Sequence, residues 1–181
     1  MVLRALSFEA LRAEVADALR TLERGRLVRG TEGNVSAIDR RAGLVVISPT
    51  SLAYESLSAD DVSVVRLDGE LLEGKPPSVE LPGHLAVYAA RPDVGAVVHT
   101  HSPAATALAE ELDTVAGVPV APPAPSGDSA TGHAVVAAAA GGHAAIVRGH
   151  GPFCLGRHLS EALQRAFELE EAARATAAPA S

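Results

Sequence analysis

A net charge of −7 spread over 181 residues, with no dense run of Lys or Arg, excludes a phosphate-neutralising nucleic-acid binder. One cysteine, Cys154, excludes an intrachain disulfide and suits a reducing cytoplasm, where the protein is expected to work. With 48% apolar but only 3% aromatic residues, the chain predicts one Ala/Val/Leu-cored domain over residues 1–181; it has no run of about 18 apolar residues, so no membrane span or membrane partner is expected.

Leu6, Leu11, Val15, Leu19 and Leu22 recur at helical spacing and predict an opening helix over Leu6–Glu23, closed near Gly25. Its charged start lacks the apolar centre of a signal peptide. Gly30-Thr-Glu-Gly-Asn-Val-Ser36 reads as a glycine-bearing loop, Leu44–Ser48 as a short strand and Pro49-Thr-Ser51 as a turn. Two strands flank the hairpin signal Asp68-Gly69 within Asp61–Leu72. After the break at Pro76-Pro77, a helix over Glu80–Ala90 stops at Pro92 and leads to the apolar strand Val94–Val98. Ser102-Pro103 predicts another helix with Ser102 as N-cap. A strand is expected within Thr114–Val120, a turn at Pro122–Pro125 and an alanine-rich helix over Ser129–Ala140. A buried strand over Ala144–Val147 turns through Arg148–Pro152 into Phe153-Cys-Leu155. A helix over Leu159–Arg174 closes the chain, with residues 175–181 frayed. Strands mixed with helices and a hairpin predict a layered α/β fold whose sheet is at least partly antiparallel.

The chemistry concentrates on His99-Thr-His101, at the end of the valine strand. Side chains two apart on a strand share a face, so both imidazoles project together from backbones about 6–7 Å apart. That is half of a metal site, because catalytic zinc takes three protein ligands and keeps one position open. His150, between Gly149 and Gly151, completes the set if the two valine-bearing strands are neighbours. Glu80 on its own is a partner for a helix dipole; beside a divalent ion it is a general base. His84 lies on the same helix face and is read as a hydrogen-bonded core residue in preference to a group orienting Glu80. The loops Gly30–Ser36 and Ser48–Ser51 carry N–H groups and small polar side chains that suit an anion, although turns use such residues for conformation alone. Cys154 reads as an inert core thiol, and His133, His143 and His158 carry no role.

Taken together, these pieces resemble one family. Gly30–Ser36, Ile47-Ser-Pro-Thr50, Pro77-Ser-Val-Glu80 followed by His84, Arg91-Pro-Asp93, Val97-Val-His-Thr-His101 and His150-Gly-Pro-Phe153 stand in the order and spacing of the class II aldolase/adducin family, from about Thr21 to Leu169. The resemblance implies a three-layer α/β/α sandwich around a largely antiparallel sheet. It implies that His99, His101 and His150 bind one divalent metal per subunit, usually Zn2+, with Mn2+, Co2+ or Fe2+ as alternatives. It places Glu80 as the acid/base carboxylate, and Gly33, Asn34, Thr50, Ser51 and Ser78 around the substrate phosphate. It also implies a homotetramer with sites at subunit interfaces. Val79 stands where relatives usually carry a second serine, and Ser51 where a glycine usually follows Pro-Thr. No tyrosine lies between His101 and His150, where the aldolase draws one from a neighbouring subunit.

The leading expectation is therefore a metal-dependent aldehyde-lyase that cleaves a small sugar phosphate or related hydroxy-keto compound through a metal-bound enediolate. Epimerisation, dehydration or decarboxylation at the same site is the enzymatic alternative. A non-catalytic, adducin-like interaction module is the other, and the three histidines with Glu80 speak against it.

Overall fold

The computed structural model describes residues 2–177. A helix α1 (Val2–Arg24) opens the chain, followed by strands β1 (Asn34–Asp39), β2 (Leu44–Ile47), β3 (Ser63–Arg66) and β4 (Leu71–Glu73). Helix α2 (Leu81–Ala90), strand β5 (Ala96–His99) and helix α3 (Pro103–Leu108) come next. Strands β6 (Thr114–Val115) and β7 (Val118–Ala121), helix α4 (Ser129–Ala139), strands β8 (Ala144–Val147) and β9 (Gly151–Gly156), and helix α5 (Leu159–Ala177) complete the order. No described helix is long and apolar enough to cross a membrane.

Among the described residues, nine strands join one sheet in the order β4-β3-β2-β1-β5-β9-β8-β7-β6, antiparallel throughout except for β7 against β8. Strand alternation divides the core in two. Val35, Val46, Val98, Ile146 and Cys154 face α1, α3 and α5. Their neighbours Val45, Ile47, Val97, Val147, Phe153 and Leu155 face α2 and α4. This is the three-layer α/β/α sandwich with a largely antiparallel sheet. Cys154 is fully buried, and burial pushes its thiol up to about 12, as an inert core residue requires.

Several elements differ from the sequence expectation. Asn34–Ser36 is not loop but the start of β1, because Val35 and Ala37 fill the core while β2 and β5 pair on either side. The single strand expected within Thr114–Val120 is a hairpin that turns at Ala116-Gly117, both at positive φ. Phe153–Leu155 belongs to a full strand, β9. That strand lies between β5 and β8, so the two valine-bearing strands are not neighbours. Ser102 makes no cap to α3; Glu170 on α5 does so instead, accepting from Ala104 N at 3.1 Å and Ala105 N at 3.0 Å. Residues 175–177 extend α5, and the frayed tail expected beyond them lies outside the described residues. Arg91 binds Asp93 and the carbonyls of Gly141 and Gly142, pinning the end of α4 to the turn before β5.

Candidate metal centre

Three backbone segments meet at the sheet centre. β5 ends at His99, and His101 follows it by two residues. His150 sits in the β8–β9 turn, and in-register pairing of His99 with Phe153 brings that turn alongside. Gly151 permits the approach: its φ is +145°, and a Cβ there would run into the Thr100 carbonyl. Gly33 does the same on the other flank, where a Cβ would lie 2.8 Å from the His99 carbonyl. One ligand nitrogen from each of His99, His101 and His150 lies within 4.8 Å of the others. Phe153 stacks on His99 with ring centroids 4.0 Å apart.

Glu80 is the N-cap residue of α2, but its side chain makes no cap. It turns instead onto the histidines, with Oε1 2.7 Å from His150 Nε2 and Oε2 3.2 Å from His99 Nε2. Asn34 Nδ2 donates to Oε2 and Ser126 Oγ to Oε1, each at 2.7 Å. Burial alone would raise the Glu80 pKa. The His150 contact and the two donors outweigh it and hold the carboxyl well below the usual carboxylate range. His99 is pushed down to about 3, chiefly by burial.

The donor set fits a divalent ion. His99 Nδ1 faces the Pro152 carbonyl at 2.9 Å and must be the N–H donor there. The neutral ring then aims its Nε2 lone pair at Glu80 Oε2, so that two acceptors face each other beside His101 Nε2, 3.1 Å from His99 Nε2. A cation shared by the cluster relieves that repulsion. His150 Nδ1 is buried without a hydrogen-bond partner among the described residues.

The other residues expected at the site form a polar strip. Ser48 exchanges hydrogen bonds with Val35, and Ser78 N donates to the Ser48 carbonyl, so loop 48–51 lies against both β1 and the approach to Glu80. Ser78 Oγ accepts from Glu80 N at 3.3 Å, Thr50 N is committed to the Pro76 carbonyl, and Thr50 Oγ1 lies 3.3 Å from Ser51 Oγ. Val79 is exposed beside Glu80. A cavity of about 470 Å³ opens on Glu80, His101 and His150, walled by Pro123, Ser126 and Arg148. Arg148 is committed to the Ala109 and Glu110 carbonyls and to Asp113. A cavity of about 490 Å³ beside the β6–β7 hairpin and α5 shares no residue with the cluster.

Sequence reasoning did not find Ser126. It follows a Pro-rich turn like any loop serine, and only the packing of that turn, with Thr131 Oγ1 donating to the Pro125 carbonyl at 2.7 Å, brings it to Glu80.

The chain thus combines a three-layer α/β/α sandwich with three converging histidines and a carboxylate at the sheet centre, a donor set that fits a divalent ion. The family described as Class II Aldolase and Adducin N-terminal domain matches residues 13–177, and the chain belongs to that family. It is 50% identical over 103 residues to L-ribulose-5-phosphate 4-epimerase UlaF of Salmonella paratyphi B; that stretch is 56% of this chain and 45% of the relative, so the match spans about half the relative's length. Among solved structures, an L-fuculose 1-phosphate aldolase superposes with TM-score 0.86 at 27% identity, covering 93% of this chain and 85% of the other. YgbL from Escherichia coli superposes with TM-score 0.84 at 31% identity, covering 93% and 89%.

Proposed function

We propose that this chain is a divalent-metal-dependent aldehyde-lyase acting on a small sugar phosphate or related hydroxy-keto compound. The observation that carries the reading is Glu80 Oε1 at 2.7 Å from His150 Nε2, a carboxylate held beside three converging imidazoles. His99, His101 and His150 hold the ion, Zn2+ before Mn2+, Co2+ or Fe2+. When bound, it supplies Lewis-acid stabilisation of enediolate charge. In cleavage the hydroxyl on the departing carbon gives up its proton as that carbon becomes the aldehyde, and Glu80, which first takes up a proton, delivers it to the enediolate carbon once the C–C bond has broken. Asn34 and Ser126 each hold one of its oxygens, leaving the carboxylate oriented but not neutralised. Gly33, Thr50, Ser51 and Ser78 form the strip for the substrate phosphate; Asn34, expected there from the sequence, has its amide committed to Glu80 and His84 instead. The group that takes that hydroxyl proton in cleavage, and returns it in the reverse direction, comes from a neighbouring subunit of a homotetramer.

The 50% identity to an epimerase favours a second reading. Breaking the C3–C4 bond of a 2-ketose 5-phosphate gives an enediolate and an aldehyde; re-addition to the opposite aldehyde face inverts C4. Both readings share the cleavage and differ in whether Glu80 protonates the enediolate first. Incubation of zinc-loaded protein with L-fuculose 1-phosphate and L-ribulose 5-phosphate, followed by NMR, separates them. An aldehyde with a three-carbon ketone phosphate supports the lyase, and an inverted ketose supports the epimerase. Inertness toward both, or fewer than about one divalent ion per three chains after gentle purification without rebinding, overturns the enzymatic reading.

A further inference from the structure

Five buried side chains join α2 to β1 in one unbroken line that ends on Glu80. Tyr88 Oη lies 2.7 Å from Ser36 Oγ, and Ser36 Oγ lies 2.6 Å from His84 Nδ1. His84 Nε2 lies 2.5 Å from Asn34 Oδ1, and Asn34 Nδ2 lies 2.7 Å from Glu80 Oε2. All five residues are buried.

The far end fixes the polarity of the line. A carboxylate only accepts, so the Asn34 amide turns its nitrogen to Glu80 and its oxygen to His84. That oxygen needs a donor, so His84 carries its proton on Nε2, and Nδ1 of the neutral ring accepts from Ser36. Burial keeps the ring neutral by pushing its pKa down to about 4, although Glu80 opposes this. Ser36 spends its proton on His84 and accepts from Tyr88. Flipping the Asn34 amide would place two acceptors face to face at Glu80 and two donors face to face at His84, a heavy penalty in a dry interior.

We propose that His84, Ser36 and Tyr88 are positioning residues, which lock the Asn34 amide with its nitrogen toward Glu80 and so fix the carboxylate oxygen that faces His99. The catalytic consequence rests on Glu80 being the acid/base group; the geometric lock does not.

Long-range 1H–15N NMR of the zinc-loaded full chain tests the lock directly. The expected spectrum has His84 as the Nε2–H tautomer and a resolved pair of Asn34 side-chain amide protons. His84→Met removes the donor. It is expected to broaden that pair and to lower kcat on L-ribulose 5-phosphate by about 10- to 100-fold with KM within about twofold. His84→Gln, which can still donate to Asn34, is expected to restore most of both. If His84→Met does not fold, Tyr88→Phe carries the test, with the same spectral change and a loss of about fivefold. A Nδ1–H tautomer, or Asn34 resonances unmoved in Tyr88→Phe and His84→Met, overturns the proposal. Full turnover in Glu80→Gln alongside the expected spectral changes overturns the role given to Glu80 and leaves the lock supported.

Discussion

Glu80 and Glu170 are both buried, and each lies at a helix start, Glu80 as the N-cap residue of α2 and Glu170 by its carboxylate against the first turn of α3. Glu170 reaches from α5 to the first amides of α3 and is anchored behind by Arg174 Nε at 2.9 Å. Its partners are backbone dipoles and a guanidinium, which no reaction needs to move. Glu80 stands at the start of α2 yet ignores the helix, and its partners are side chains: Asn34, Ser126, His150 and His99. What separates a structural carboxylate from a chemical one is whether the groups around it also converge on something else.

The largest expected effect tests that division. Glu80→Gln should lower turnover by about a thousandfold while unfolding free energy in urea stays within about 1.5 kcal/mol of the parent, because glutamine keeps hydrogen-bonding oxygen and nitrogen in the same place. Glu170→Ala should do the reverse. It strands two buried amides, costs about 3 kcal/mol in the same urea measurement and leaves turnover per folded molecule intact. Lost turnover at full stability in Glu170→Ala would break the comparison. A third measurement concerns the line behind Glu80. The folded His84 ring sits near pKa about 4, against the ordinary 6.5, so its neutral burial stabilises the chain fully above pH 6.5. That contribution, about 3 kcal/mol, should drain away as pH falls from 6.5 toward 4, and calorimetry of His84→Gln should show a flatter profile across that window. The smallest effect belongs to Ser126→Ala, which removes one donor to Glu80. A drop of about fivefold in kcat, with Tm little changed, is expected from kinetics and a thermal melt.

How much of this was legible in the sequence depended on how local the cause was. His99 and His101 were readable because a strand of period two sets their common face. Glu80 was readable because a helix start beside Pro76-Pro77 is a local signal. Strands mixed with helices and a hairpin point only to a layered α/β fold with a partly antiparallel sheet, and the three-layer sandwich comes from the family resemblance. β1 was missed because Gly30, Gly33 and Asn34 are loop-forming residues, and the pairing partners that make a strand of Asn34–Asp39 lie in distant β2 and β5. The His150 geometry was reached for a mistaken reason: β9, hidden behind Gly151-Pro152, separates the two valine strands and itself brings the turn to the site. His84 was read as a core residue, and it is one, but its core partner is the amide that holds Glu80. Glu170 and Ser126 had no local signal, because each acts at a helix or loop far along the chain.

The collision that any side chain at Gly151 would suffer with the Thr100 carbonyl has an evolutionary reading. The histidines ride on two strands pressed backbone to backbone, so that end of the cavity has almost no room to drift without losing the sheet. The opposite wall, residues 122–125, carries no helix or strand and can lengthen, shorten or change chemistry at little cost to the frame. Diversification of substrate in such a molecule is therefore channelled to one side, and an engineer seeking new specificity would randomise that loop and leave the strand ends alone.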